Sequence, residues 1–195
     1  MKLTKLKYAN ENDLWVKFRE GDQQAFAKLF EDFSERLYRY GIKFVQDEEL
    51  VKDAVQELFI RLHQNRHKLP EITNPLFYLF QMLKNILLDA LRQQERITYL
   101  STQELPFHVH FEYDETDAIE ETEKIKEQFD KVLSLLSERQ KEAVYLRYSA
   151  EMSYEEIAAL LNINYQSTRN LIHRAIEKIR SEVNPVLLLA IIKVV

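Results

Sequence analysis

The chain has no cysteine, two glycines and four prolines among its 195 residues. Without cysteine there is no disulfide framework and no thiolate metal site, a composition compatible with a reducing cytoplasm. Scarce glycine and proline leave few points at which a helix must stop, so long helices are expected. Pro70, Pro75, Pro106 and Pro185 all fall at breaks in the helical pattern, where a missing amide costs least. The basic residues 1–8 are followed by no apolar core, so no signal peptide is expected. Residues 186–195 are apolar except for Lys193, but crossing a bilayer takes about 20 such residues. That tail reads as a segment that docks on protein, and no membrane insertion is expected.

Acid outweighs base, for a formal charge of −5. The excess is local. Residues 104–123 hold eight acids, from Glu104 to Glu123, and no Lys or Arg; removing those charges turns −5 into +3. The negative balance therefore belongs to one segment and does not argue against nucleic acid elsewhere.

Read in order, Asp13 to Arg19 forms a helix anchored by Leu14, Trp15 and Phe18, and Gly21 ends it. Asp22 caps a longer helix whose apolar stripe includes Phe26, Leu29, Phe30, Phe33, Leu37, Tyr40 and Ile42 or Phe44. Asp47 caps a third, with Leu50, Val51, Ala54, Leu58, Phe59, Ile60 and Leu62 as apolar positions and Asp53, Gln56 and Glu57 as polar ones. After a loop over 67–74, Asn74 before Pro75 is a strong helix start. The helix that follows is apolar on more than one face. Phe77, Tyr78 and Phe80 near its start and Lys84, Asn85, Asp89 and Arg92 toward its end are the combination a single-stranded nucleic acid site uses, rings to stack on bases and cations to hold phosphates. Aromatics in a helical stripe also read as core, and the residues alone leave both readings open.

Residues 97–118 hold no period and read as a solvated acidic linker. His108 and His110 lie two apart among acids, but no rigid element gathers the three or four ligands a zinc site needs. A helix from Ile119 to Leu136 leads into Ser137, which with Gln140 forms a capping box. Ser153 and Glu156 form another. Asn162, Ile163 and Asn164 then make a tight turn, because Asn tolerates the left-handed conformation and Asn164 caps the next helix. At about 100° per residue, Thr168, Leu171, Ile172, Ala175, Ile176 and Ile179 fall on one side of that helix. Gln166, Arg169, Asn170, His173, Arg174 and Arg180 fall on the other. Such a face is what a major-groove reader needs. By geometry, Gln166, Arg169 and Asn170 go to base edges, and Arg174 and Lys178 to phosphates.

Two stretches together resemble the bacterial sigma-70 factors, specifically the short extracytoplasmic-function group that keeps only the second and fourth sigma domains. FREGDQQAFAKLF looks like the opening helices of the second domain, DAVQELF like its polymerase-binding motif and LFYLFQMLKNILLDALR like its promoter-melting helix. LSERQKEAVYLRY, MSYEEIAALLNI and HRAIEKIR resemble the fourth domain. Both blocks stand in the family's order.

The resemblance implies an all-α protein with sigma domain 2 over residues 1–96, an acidic linker over 97–118, a helix-turn-helix sigma domain 4 over 119–183 and an apolar tail over 184–195. It implies a cytoplasmic RNA polymerase sigma factor, not an enzyme, with no metal or other cofactor. Its partners are core RNA polymerase and promoter DNA, and the family allows for an anti-sigma factor. Asp53, Gln56 and Glu57 fall where members engage the polymerase clamp helices. The loop over 69–74, with Tyr78, Phe80, Lys84, Asn85, Asp89 and Arg92, falls where they capture an unpaired minus-10 base and hold the opened strand. Gln166, Ser167, Arg169, Asn170, His173 and Arg174, with Lys178 beyond them, fall on the minus-35 reading helix. The acidic linker reads either as a mimic of nucleic acid charge in the polymerase channels or as a spacer. Tyr78 stands where many members have Trp, Lys84 where Arg is usual, and Asn162 where Gly is usual. Leu171 replaces a common basic residue, so phosphate contacts are expected to be distributed differently.

Overall fold

A computed structural model describes residues 9–93, 106–109 and 119–183, without the side chains of 119–125. Among these residues there are eight α-helices and no strand. The chain separates into two compact units, Met1–Tyr99 and Leu100–Val195. Most of the acidic run and the apolar tail lie outside the described residues.

The first unit holds α1 (Glu11–Arg19), α2 (Gln23–Gly41), α3 (Glu48–Gln64), a 3₁₀ turn (Arg66–Lys68) and α4 (Pro75–Gln93). Side-chain caps set the helix starts: Asp22 accepts from the amides of Gln24 and Ala25, Asp47 from Leu50, and Asn74 from Phe77. α1 starts two residues earlier than the sequence suggests, because Asn10 accepts from the Asp13 amide.

Trp15, Phe33, Leu37, Tyr40, Leu58 and Phe80 are fully buried where these helices meet. The two glycines answer different needs. Gly21 has φ +96°, a conformation most side chains resist. A Cβ on Gly41 would stand 2.7 Å from Val51 Cγ1, so the close approach of α2 to α3 needs the bare backbone. Two expected core residues stay outside. Phe30 is 46% exposed and Ile60 50% exposed. Both lie on helix flanks that no described element of the unit covers.

The second unit holds α5 (Ile119–Ser134), α6 (Glu138–Tyr148), α7 (Tyr154–Leu160) and α8 (Tyr165–Glu182). Both capping boxes form, Ser137 with Gln140 and Ser153 with Glu156. Asn162 takes φ +52° in the turn between α7 and α8, and Asn164 accepts from the Ser167 amide at 2.7 Å. Glu151 is also left-handed, at φ +56°.

Thr168, Ile172, Ala175, Ile176 and Ile179 are buried, while Leu171 is half-buried at the edge of the stripe. Thr168 reaches the core with its hydroxyl donating to the Asn164 carbonyl at 3.1 Å, so no polar atom is stranded there. Part of the expected linker belongs to this unit. Phe107 is fully buried beside the Tyr145 ring, 5.7 Å between centroids, and its amide donates to Glu138 Oε2 at 2.6 Å.

Candidate functional site

The outer face of α8 brings most of the expected readers together at its N-terminal half. Gln166, Ser167, Arg169, Asn170, His173 and Arg174 are all exposed. Gln166 Nε2 donates to Asn170 Oδ1 at 3.2 Å, which holds two amide side chains side by side one turn apart. His173 Nδ1 stands 3.3 Å from Glu177 Oε2, so the acid among the cations has a local partner. Lys178 is placed differently from the phosphate role expected of it. Its ammonium donates to the Leu135 carbonyl at 2.7 Å and to Gln140 Oε1 at 3.1 Å. The charge is spent on the α5–α6 junction, where a helix end leaves a carbonyl without an internal partner.

Sequence reasoning passed over a ladder of rings beside this face. Arg147 lies 4.9 Å over the Tyr154 ring, Tyr154 meets Tyr165 edge-on at 6.0 Å, and Arg169 lies 5.9 Å over the Tyr165 ring. The available signal was spacing: Tyr165 and Arg169 are four apart on one helix, and both tyrosines are first residues of helices.

In the first unit, α4 splits its expected set. Asn85, Asp89 and Arg92 are exposed, with Arg92 Nη1 3.4 Å from Asp89 Oδ1. Tyr78 is half-buried, edge-on to Trp15 at 5.5 Å, and burial pushes its phenol pKa up. Phe80 and Lys84 do not join that surface. Phe80 is 1% exposed and stacked on Tyr40, and Lys84 is 5% exposed with its ammonium 5.0 Å over the Phe44 ring. Phe80 and Lys84 are four apart on one face of α4, the face that α2 and α3 cover.

On α3, Asp53 and Gln56 are exposed, and Glu57 accepts from Arg61 Nε at 2.6 Å. Gln56 also borders an open groove of about 470 Å³ walled by Phe26, Phe30, Phe59 and Ile60, with His63 and Gln64 at its end. This groove is where the two uncovered apolar side chains lie. Among the described residues no group of three or more metal-ligating side chains gathers, and no helix is long and apolar enough to cross a membrane. His110 lies outside the described residues.

A helical unit with an exposed α3 face is followed by a unit ending in a helix-turn-helix, and each unit matches a family of its own. The family described as Sigma-70 region 2 matches residues 29–97, and Sigma-70, region 4 matches residues 126–179. The RNA polymerase sigma factor CarQ of Myxococcus xanthus is 28% identical over 165 residues, which cover 84% of this chain and 92% of that protein. The ECF RNA polymerase sigma factor SigW of Bacillus subtilis is 25% identical over 172 residues, covering 84% and 91%.

Among solved structures, the fold is similar to a sigma factor RpoE bound to the anti-sigma factor NepR from Bartonella quintana. That match has a TM-score of 0.58 at 20% identity and covers 86% of this chain and 98% of that one. CnrH in complex with the cytosolic domain of CnrY gives a TM-score of 0.57 at 20% identity, covering 88% and 95%. The chain belongs to the extracytoplasmic-function group of the sigma-70 family and is an RNA polymerase sigma factor acting in transcription initiation. Sigma factors are DNA-binding regulatory subunits rather than catalysts.

Proposed function

We propose that the α8 face reads the minus-35 element, with Gln166, Arg169 and Asn170 on base edges and Ser167, His173 and Arg174 toward the backbone. The observation that carries this is the exposed pairing of Gln166 with Asn170 beside Arg169, since amides match adenine edges and a guanidinium matches guanine. Tyr78, with Asn85, Asp89 and Arg92, takes the minus-10 strand as it opens. The opening needs no nucleophile or cofactor, because holding an unpaired base lowers the net cost of separating the strands. Lys178 acts within the protein instead of on DNA, and Phe80 and Lys84 support α4 from inside.

Asp53, Gln56 and Glu57 form the polymerase-binding face, and the adjoining groove at Phe30 and Ile60 extends it with apolar surface. The working division of the chain is sigma domain 2 over 1–96, linker over 97–118, sigma domain 4 over 119–183 and tail beyond. The protein acts in the cytoplasm and catalyses no reaction of its own. The sigma factor RpoE, of similar fold, is described in complex with the anti-sigma factor NepR, and CnrH, also of similar fold, with the cytosolic domain of CnrY, which supports an anti-sigma factor as a further partner here.

In vitro transcription with core polymerase and a promoter library tests the reading. The expected result is initiation from a two-element consensus, with Arg169→Ala losing discrimination at particular minus-35 base pairs by about 1–3 kcal/mol. A uniform loss across all sequences assigns Arg169 to phosphate instead, and operator binding without polymerase would overturn the sigma-type mechanism.

A further inference from the structure

The ring ladder beside α8 ends on Arg169, one of the three residues proposed to read base edges. At its far end Arg147 is fixed twice, by donating Nη1 to the Met152 carbonyl at 2.7 Å and by lying over the Tyr154 ring at 4.9 Å. Tyr154 in turn sets its ring edge-on against Tyr165, at 6.0 Å and 74°. The Tyr165 ring is therefore held from behind by α6 and α7, although the residue is 43% exposed. Its remaining face carries the Arg169 guanidinium at 5.9 Å, within the range at which a cation is attracted to an aromatic face.

An arginine side chain on a surface helix otherwise samples many rotamers, and ordering it costs free energy each time it binds. A guanidinium already resting on a fixed ring loses less. Bidentate recognition of a guanine edge depends on the plane of the fork as well as its position, so a ring that restricts the guanidinium also affects which base it accepts. Ordinary packing does not account for Tyr165: a side chain this exposed contributes little to the core, and Thr168 and Ile172 anchor the same helix.

We infer that Tyr165 is a positioning residue for promoter recognition, its ring holding the Arg169 guanidinium in the orientation that discriminates the base pair Arg169 meets. This rests on Arg169 being a base reader. It adds that the preference is set by a pair of residues and is braced from the two preceding helices, through Tyr154 on α7 and Arg147 on α6.

The experiment uses the full chain bound to core polymerase and a promoter library randomised in the minus-35 element. It compares wild type, Tyr165→Ala, Tyr165→Phe, Arg169→Ala and the double substitution. Tyr165→Ala is expected to reduce discrimination at the Arg169 base pair about 2- to 5-fold, the size of an exposed cation–π contact, with preferences elsewhere unchanged. Tyr165→Phe keeps the ring and should keep the preference. In the Arg169→Ala background, Tyr165→Ala should remove nothing more, because a coupled pair is non-additive.

A flat response to Tyr165→Ala while Arg169→Ala abolishes the preference overturns this inference and leaves the base-reading assignment standing. An unchanged preference in Arg169→Ala overturns that assignment itself. Additive losses in the double substitution give Tyr165 an independent contact and overturn the coupling. A fall in affinity spread evenly over all sequences makes Tyr165 structural, and overturns it as well.

Discussion

The rings of Tyr40 on α2 and Phe80 on α4 lie parallel, 5° apart in plane and 4.1 Å between centroids. Tyr40 has no exposed surface, Phe80 has 1%, and Phe44 also meets Tyr40, edge-on at 4.9 Å. Phe80 is thus a clamp between two helices and not a platform for bases. Phe80→Ala is expected to lower the stability of the N-terminal unit by about 3–5 kcal/mol, the usual loss for a buried ring. Urea unfolding of the full chain reads this out. A variant as stable as wild type but slow to open promoters would return Phe80 to the nucleic acid surface.

Lys178 and Arg174 separate two kinds of cation on one helix. Each phosphate neutralised by a cation contributes about 0.9 to the slope of log affinity against log salt. Arg174→Ala should make that slope shallower by about one phosphate. Lys178→Met should leave it unchanged and instead lower the stability of the C-terminal unit by about 1 kcal/mol, through the lost bonds to Leu135 and Gln140. Salt titration of promoter binding by the holoenzyme checks both. A shallower slope for Lys178→Met would mean its ammonium leaves the helix junction for DNA.

How much of this was legible beforehand depended on the range of the interaction. Caps act over two or three residues, so Asp22, Asp47, Asn74, Ser137, Ser153 and Asn164 could be read directly from the chain. The helix-turn-helix followed because its turn and stripes are equally local. Periodicity says which residues share a face but not whether another element covers it. That is why Phe30 and Ile60 read as core, why Lys84 reads as surface, and why the residues alone leave Phe80 open between the two. Lys178 reaches a carbonyl 43 positions away in the chain, and no local pattern signals that. The Tyr165–Arg169 pair is within local reach, four apart on one helix, but that spacing alone does not distinguish a ring under a guanidinium from a ring in solvent.

Phe107 marks a second place where local reading failed. A single aromatic in an acidic stretch looked like linker, yet it is fully buried against Tyr145, with its amide on Glu138. Phe107→Ala is expected to cost the C-terminal unit about 3–5 kcal/mol, as for other buried rings. Glu138→Ala should cost about 1–2 kcal/mol by removing the acceptor of both the Phe107 amide and the Lys141 ammonium. Thermal unfolding of the two variants tests the ranking. Equal, negligible effects would mean the 106–109 segment does not dock in solution.

Trp15 links the loop before α4 to the helix that is proposed to open DNA. Its indole nitrogen donates to the Pro70 carbonyl at 3.1 Å, and its ring takes the edge of Tyr78 at 5.5 Å. Tyr78 therefore has one side committed to the protein and enough exposure left to meet a base. Burial holds its phenol above the ordinary value near 10, so the ring stays neutral across the pH range in which transcription is assayed.

A neutral ring that stacks on an unpaired base contributes about 1–3 kcal/mol, and only after the strands separate. Tyr78→Ala should then impair promoter opening by roughly 5- to 150-fold on that scale, while closed-complex affinity changes little. Tyr78→Phe, which keeps the ring and its edge contact with Trp15, should open promoters at close to the wild-type rate. A fluorescent base analogue in the minus-10 element reports opening, and binding at low temperature reports the closed complex. Equal losses at both steps would assign Tyr78 to packing against Trp15 alone, and a defect in Tyr78→Phe matching that of Tyr78→Ala would move the function from the ring to its hydroxyl.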